Sequence, residues 1–332
     1  MTLGGYMNNF QNIPWNKIVK FGQQTMMDTD LFAVSWILGR FCNYKCSYCW
    51  PYARSDIRDF YSLKTYTSVI DEIKKQARDN GFNKFHWSFS GGEPTTFREL
   101  LQLVKHLDDG IKTPYQSIHM TTNLSPGRNW WANWCENTML LQRRSITASF
   151  HAEHAKELSF GDKCLLLMDN NVYVTVNQVM VPGNFYELYE RCQRLHNRGI
   201  NVTLKPQSNL TASSIVDGYT PEMIQIMQTG FPQRALGEEL YQIALYDNEN
   251  NKYYFDQAER FNAFGFNQFK GWQCNSGYQS VIIRLNEVKR SYSCKEEKLG
   301  TLDNFKLFKA PQVCVTDKCV SSADSKIPKN YV

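Results

Sequence analysis

The stretch Cys42-Asn43-Tyr44-Lys45-Cys46-Ser47-Tyr48-Cys49 follows directly on the apolar run Leu31–Leu38. Its cysteines are spaced C-x3-C-x2-C within one short polar loop. One strand–helix unit later, Ser90-Gly91-Gly92-Glu93-Pro94 closes a second strand-like stretch. Three thiolates this close in sequence can reach three corners of an iron–sulfur cubane and leave one iron open, because soft sulfur ligands favour such clusters. Zinc is the rival, although its closed sites use four ligands, commonly in paired C-x2-C units. No fourth Cys or His lies beside the loop in sequence. His86 falls inside a strand-like run, where packing or a local hydrogen bond is expected.

Working outward, the first thirty residues are polar, and Pro14 and Gly22 break any long helix. Ala33–Gly39 then reads as a strand, Leu63–Asp79 as an amphipathic helix, Lys84–Ser90 as a strand and Phe97–Leu107 as a helix. Gln116–Thr122 and Ser145–Phe150 are further strands, the latter followed by a helical or irregular region to Leu167. Val172–Val181 places Tyr173, Thr175, Asn177 and Val179 on one face. Phe185–Arg198 is a helix closed by Gly199, and Ile200–Lys205 is a sixth strand before Pro206. Strands alternating with helices argue for an α/β fold of parallel βα units with right-handed crossovers. Ligands in such folds sit where strands deliver their C-terminal loops. The cysteine loop, the Gly-Gly-Glu group, Asn123 and His151 each follow a strand, so all land on that face.

Beyond Gln207, Tyr219–Thr229 and Leu236–Tyr246 read as helices around a Gly230/Pro232 break, followed by an Asn-rich break at Asp247–Asn251. Tyr278–Leu285 alternates like a strand, and Val288–Ser293 can return against it through Asn286-Glu287. The tail Val320–Val332 is polar and expected to be loosely held.

Composition is globular, with 42% apolar and 21% charged residues in 332. A net charge of +5 without a basic tract speaks against a nucleic-acid footprint, despite 8 Trp and 18 Tyr that bases could stack on. Leu31–Leu38 is too short to cross a bilayer, and Met1–Gly5 shows no basic-then-apolar signal, so a cytoplasmic, reducing location is expected. Ten cysteines are then metal ligands or buried small hydrophobes rather than disulfides. Seven fall into groups at 42/46/49 and 274/294/314/319. Cys135, Cys164 and Cys192 lie singly and are expected to be buried.

The paired motifs closely resemble those of the radical S-adenosylmethionine (SAM) enzymes, over about Leu31 to Gln207. The resemblance implies a partial (β/α)6 TIM-like barrel and a [4Fe-4S] cluster on Cys42, Cys46 and Cys49. The open iron of that cluster would chelate the amino and carboxylate groups of S-adenosylmethionine. Reductive cleavage to methionine and a 5′-deoxyadenosyl radical, then hydrogen abstraction, is the implied reaction. An electron donor such as flavodoxin or ferredoxin is the implied partner. Gly91 and Gly92 would admit the methionyl group closely, Glu93 would accept from its amine, and Pro94 would stiffen the strand exit. Tyr48 matches the aromatic position beside the adenine. Asn123 and Ser149, and more weakly Gln178 and Lys205, are candidates for the carboxylate or ribose. In Phe150-His151-Ala152-Glu153-His154, His151 is a candidate substrate contact or acid–base group, while His154 reads as a solvated helical residue. Cys164 is a candidate hydrogen-atom donor, as is Cys192.

Cys274, Cys294, Cys314 and Cys319 frame the proposed hairpin and a close pair, and can enclose a second cluster or a structural zinc. They resemble the shortened auxiliary-cluster (twitch/SPASM-like) α+β domain attached to many radical SAM enzymes. A fully ligated auxiliary cluster would exchange an electron with a substrate radical. The expected layout is an extension at 1–30, the core at 31–207, a helical linker at 208–265, the auxiliary domain at 266–320 and a tail at 321–332. Oxidation, cross-linking or epimerisation of a ribosomal peptide or natural-product intermediate is the leading expectation. Dehydrogenation of an amino sugar or cyclitol and a non-catalytic metal-stabilised binding protein are the alternatives.

Overall fold

The chain enters its first sheet with β1 (Ile18–Gln23) and its second with β2 (Leu31–Gly39) in a computed structural model that describes residues 13–331 apart from 213, 234–242, 256–264 and 295–297. Strands and helices then alternate: α1 (Leu63–Asp79), β3 (Lys84–Gly91), α2 (Leu100–His106), β4 (Tyr115–Thr122) and α3 (Arg128–Asn137). β5 (Arg143–Ser149), α4 (Glu157–Asp169), β6 (Tyr173–Met180), α5 (Phe185–Asn197), β7 (Asn201–Pro206) and α6 (Pro221–Thr229) complete the series. Compact packing divides the chain into one unit of Met1–Ser35, Ser68–His86 and Gly237–Val332 and another of Trp36–Thr67 and Trp87–Leu236. The division runs through β2, α1 and β3.

In the Trp36–Leu236 unit the strands follow one another along the sheet in chain order from β2 to β7. β4, β5, β6 and β7 pair in parallel. Each helical crossover therefore adds its strand on the same side, the winding of a barrel rather than of a doubly wound sheet. Burial follows a period of two along the strands. Trp87 and Phe89, Ile118 and Met120, Ile146 and Ala148, Val174 and Val176, and Val202 and Leu204 are all buried. The alternate face is half-buried and polar: His119 and Thr121, Thr147 and Ser149, Thr175 and Asn177, Thr203 and Lys205. His119 bridges this face through Ser145 Oγ at 2.9 Å and Thr147 Oγ1 at 3.3 Å. An apolar core on one face and a polar, half-buried surface on the other leave the second face available for a ligand.

The other unit is built on an antiparallel sheet. Its further strands are β8 (Ile243–Asp247), β9 (Lys252–Phe255), β10 (Gln273–Cys274), β11 (Ser280–Arg284), β12 (Glu287–Lys289), β13 (Lys298–Thr301), β14 (Asn304–Phe305), β15 (Gln312–Val313) and β16 (Lys329–Asn330). The first sheet runs β15-β10-β16-β1-β8-β9, so β1 is interior to it. The helix expected over Leu236–Tyr246 is corrected where it is described: Ile243–Asp247 is a strand between β1 and β9, and 236–242 lie outside the described residues. The reason is a turn. Asp247 Oδ1 accepts from the main-chain N–H groups of Glu249 (2.9 Å) and Asn251 (2.8 Å), folding the Asn-rich segment into a hairpin.

The hairpin of β11 and β12 forms with Arg284 opposite Glu287, so its turn is Leu285-Asn286, one residue earlier than expected. The loosely held tail is also corrected. Lys329 and Asn330 pair with both β1 and β10, and Ser325 and Lys329 are buried. Two unpaired strand edges need those backbone partners, which outweighs the polar composition. Ending the chain after Ser321 should lower the thermal midpoint by about 5 °C or more, followed by circular dichroism. An unchanged melt would show that β16 does not support the sheet.

Candidate active site

The loop Arg40–Cys49 leaves β2 and is fixed first by main chain. Gly92 N–H donates to Gly39 O at 2.9 Å, and Glu93 N–H to Phe41 O at 2.8 Å. A Cβ on Gly92 would fall on the carbonyl oxygens of Arg40 and Phe41, and one on Gly91, at φ +143°, on that of Gly39. The glycines therefore let two backbones touch. The close contact the structure displays is with the backbone of residues 39–41. Asp59 completes the entry, its Oδ1 accepting from the N–H groups of Arg40 (2.8 Å) and Phe41 (3.2 Å).

Glu93 is a buried hub. Its Oε1 accepts from Thr95 N–H (3.0 Å), Thr95 Oγ1 (2.7 Å) and Thr122 Oγ1 (2.7 Å), and its Oε2 from Asn123 N–H (2.6 Å). Burial pushes its carboxyl up, while these donors pull the other way. A carboxylate has about four acceptor sites. Four protein donors leave a ligand amine access mainly through the second lone pair of Oε2.

The next two strand ends clamp the cysteine loop. Asn123, after β4, donates from Nδ2 to Asn43 Oδ1 at 3.0 Å. After β5, Glu153 Oε2 accepts from Ser47 N–H at 2.9 Å and its Oε1 from Ser47 Oγ at 2.5 Å. His154 Nε2 accepts from Lys45 N–H at 3.3 Å, and its ring stacks on Tyr44 with centroids 4.7 Å apart. The expectation for His154 is corrected in part: it is exposed as expected, but Ala152–His154 form a turn rather than a helix, and the ring packs on the loop. Tyr48 Oη and His151 Nδ1 lie 2.8 Å apart, with the rings stacked. Sequence reasoning missed Asn43 within the loop and Asp59 and Glu153 beside it, because only folding shows which groups they bond.

The three loop thiols are half-buried. Burial raises all three, and the Cys46 thiol, with Glu153 nearby, is pushed up to about 12. They are neutral thiols until a metal takes their protons. Among the described residues, the one group of His, Cys, Asp and Glu whose ligand atoms all lie within 4.8 Å is Cys46, Glu153 and His154. Sulfurs on one tetrahedral zinc would lie about 3.8 Å apart, from Zn–S bonds of about 2.3 Å. Neither Cys42, Cys46 and Cys49 nor any three of the C-terminal cysteines converge that closely.

The four strand-end candidates for cofactor contact separate. Ser149 lies in register with Asn177 and Thr203, and Lys205 pairs with Val179, so Ser149 and Lys205 share the polar face. Gln178 is on the buried face and reaches a different space. It lines a cavity of about 230 Å³ with Ser47, Tyr48, Glu153, Asn184 and Arg191. Among the described residues its Oε1 is buried without a hydrogen-bond partner. Asn123 stays at the loop. Cys164 and Cys192 are buried within α4 and α5, and Cys135 within α3, none lining this cavity. Burial pushes the Cys164 thiol up to about 12.

In the other unit, Cys274 and Cys314 are buried and Cys294 and Cys319 half-buried. Cys274, Cys314 and Cys319 pack in one apolar cluster with Phe21, Phe269 and Trp272. Thr316 links two of the four: its Oγ1 donates to Cys294 Sγ at 3.9 Å and its carbonyl accepts from Cys314 Sγ at 3.7 Å.

With this geometry in place, comparison with known proteins is decisive for the family. The model of the radical SAM superfamily matches residues 36–228, and the chain belongs to that superfamily. It is therefore an enzyme of oxidoreductase type, and membership implies an iron–sulfur and S-adenosylmethionine cofactor system. Among solved structures, the fold is similar to polyhistidine-tagged anSMEcpe with bound AdoMet, at 13% identity and TM-score 0.50 over 83% of this chain and 79% of that one. Native anSMEcpe with bound AdoMet and Kp18Cys peptide aligns at 13% identity and TM-score 0.50, over 83% and 78%. No curated protein matches the chain. No helix among the described residues is long and apolar enough to cross a membrane.

The loop contacts can be tested by substitution. Gly92→Ala should cost about 1–3 kcal/mol in urea unfolding, since main chain rather than a flexible side chain must move. Glu93→Gln should cost about 1–3 kcal/mol by turning a donor against a donor; unchanged midpoints for both would remove the hub. His151 provides a pH test. Burial and neighbouring His154 hold it down to about 4, from an ordinary 6.5. Its contribution to stability is thus complete above about pH 6.5 and lost as pH falls toward 4. Its ring resonance in the metal-free protein should not titrate between about pH 8 and 5.5; a midpoint near 6.5 would contradict the buried placement.

Proposed function

We propose that the chain is a two-cluster radical SAM enzyme that oxidises, cross-links or epimerises a polar substrate, a ribosomal peptide or a natural-product intermediate. The carrying observation is the cysteine loop held by three successive strand ends, with a second group of four thiols elsewhere in the chain. Cys42, Cys46 and Cys49 would hold a [4Fe-4S] cluster, and Cys274, Cys294, Cys314 and Cys319 a second one, with zinc as the alternative there. When bound, the first cluster and S-adenosylmethionine supply the 5′-deoxyadenosyl radical that takes a substrate hydrogen.

The chain's own residues do the rest. Gly91, Gly92 and Pro94 set the loop against β3 and offer main-chain groups to the methionyl end. Glu93 keeps one acceptor site for its amine. Among the described residues the oxygen of Gln178 is partnerless beside Tyr48 in the 230 Å³ cavity, and it suits a hydrogen-bond donor of whatever ligand portion enters that cavity rather than the polar face. Ser149, Asn123 and Lys205 remain candidates for its carboxylate and ribose. Burial keeps His151 neutral and Tyr48 orients its ring, so His151 can hydrogen-bond bound substrate.

The polar half-buried sheet face supports a hydrogen-bonding substrate over an apolar one. A similar fold solved with a peptide, Kp18Cys, favours a peptide. An amino sugar or cyclitol satisfies the same face and is the second reading. Electrons would come from a flavodoxin- or ferredoxin-type donor. Cys164 as hydrogen-atom donor would require a route into α4.

Anaerobic reconstitution should give about eight irons per chain. Cys42→Ala should abolish S-adenosylmethionine cleavage, and Cys274→Ala should lower iron to about four while uncoupled cleavage persists. Mass spectrometry of candidate peptides and amino sugars after reaction identifies the substrate. Intact cleavage in Cys42→Ala would sink the first site.

A further inference from the structure

Lys329 is a lysine at 1% exposure in the sheet that carries the C-terminal cysteines. Its ammonium donates to three main-chain carbonyls, of Ile327 (2.7 Å), Asp324 (3.0 Å) and Ser325 (3.3 Å). It also lies over the Phe269 and Phe21 rings, 4.6 and 5.7 Å from their centroids. Carbonyls and rings satisfy its donors but carry no net charge. Burying an ammonium costs several kcal/mol unless an opposite charge answers it. The nearby Asp324 carboxylate is turned to Ser293, accepting from its N–H at 2.6 Å and its Oγ at 2.8 Å.

Among the described residues no carboxylate is paired with this ammonium, and the cysteines offer it a negative charge. Cys274 is the direct cross-strand partner of Lys329, so both side chains rise from the same face of the sheet. The Phe21 and Phe269 rings beneath the ammonium belong to the same apolar cluster as Cys274, Cys314 and Cys319. Thr316 ties Cys294 to Cys314, its Oγ1 donating to Cys294 Sγ and its carbonyl accepting from Cys314 Sγ, so the four sulfurs and the ammonium share one neighbourhood. Four thiolates on a [4Fe-4S]²⁺ core or on Zn²⁺ carry a net charge of about −2.

We propose that Lys329 is the built-in counter-charge of an anionic four-thiolate centre on Cys274, Cys294, Cys314 and Cys319, and that it sets the reduction potential of the cluster held there. This rests on the two-cluster reading above. A fixed buried cation stabilises the reduced, more negative cluster over the oxidised one. It is a positioning and tuning residue with no contact to substrate.

The test uses the full-length chain with Cys42, Cys46 and Cys49 all changed to Ala, so that any bound cluster is the second one. Lys329→Met and Lys329→Arg are added to this background, and iron content, thermal melting and the EPR-monitored midpoint potential are read for each. The background should hold about four irons. Lys329→Met should move the midpoint negative, or lose iron, while Lys329→Arg stays near the background. Equal midpoints for Met and background at equal iron, or equal iron loss in Met and Arg, would overturn the proposal and leave Lys329 a clasp for the Asp324–Ile327 turn. A background that holds no iron, or holds zinc, would instead overturn the second cluster, and the tuning role with it.

Discussion

The site depends on main chain touching main chain. Gly91 and Gly92 lie against the carbonyls of residues 39–41, and no side chain can enter that contact. It brings the ends of β2 and β3 together closely enough for Phe41 to accept from Glu93 N–H. Glu93 then turns inward and collects donors from the end of β4. A loop carrying three thiols and little secondary structure becomes rigid because its entry is welded to two neighbouring strands. Asn123, Glu153 and His154 fasten the remainder. Preorganised ligands would matter for the proposed cluster with one open iron, since a slack loop could fold a fourth donor onto it.

The sheet contributes a second constraint. Its buried face is filled with aromatic and aliphatic side chains, so the polar face has to hold water or ligand instead. Ser149, Asn177, Thr203 and Lys205 sit near the C-terminal ends of β5, β6 and β7, on the edge where the cysteine loop emerges. A substrate offering hydrogen-bond donors and acceptors meets partners there, whereas an apolar one would strand them. In the other unit, the thiols are set among aromatic rings with one buried ammonium, an environment that lowers the dielectric and enlarges the effect of each fixed charge.

Much of this is legible before folding. Alternation with a period of two locates β2 through β7, because each has one apolar face, and the C-x3-C-x2-C and Gly-Gly-Glu groups mark the active edge. What cannot be read depends on distant partners. Ile18–Gln23 and Lys329–Asn330 are strands only because they pair with each other and with β8 and β10. Ile243–Asp247 has helical periodicity until the Asp247 turn folds it back on β9. Gly91 and Gly92 announce a close approach, but their neighbours in sequence do not reveal that its partner is the backbone of residues 39–41. Gln178 and Ser149 read alike as polar strand-end residues, and only the register sets them on opposite faces. Lys329 lies in a polar tail where nothing distinguishes it from a solvated lysine.

The most direct test of an open iron at the cysteine loop is electron–nuclear double resonance on the reduced protein, with the Cys274→Ala substitution to isolate the first cluster and S-adenosylmethionine labelled with ¹⁵N at its amino group. Resolved ¹⁵N coupling to the cluster spin is expected, because three thiolates leave one iron for the amine. A reduced cluster with no coupling to the label, or a loop occupied instead by a zinc ion on Cys46, Glu153 and His154, would contradict it.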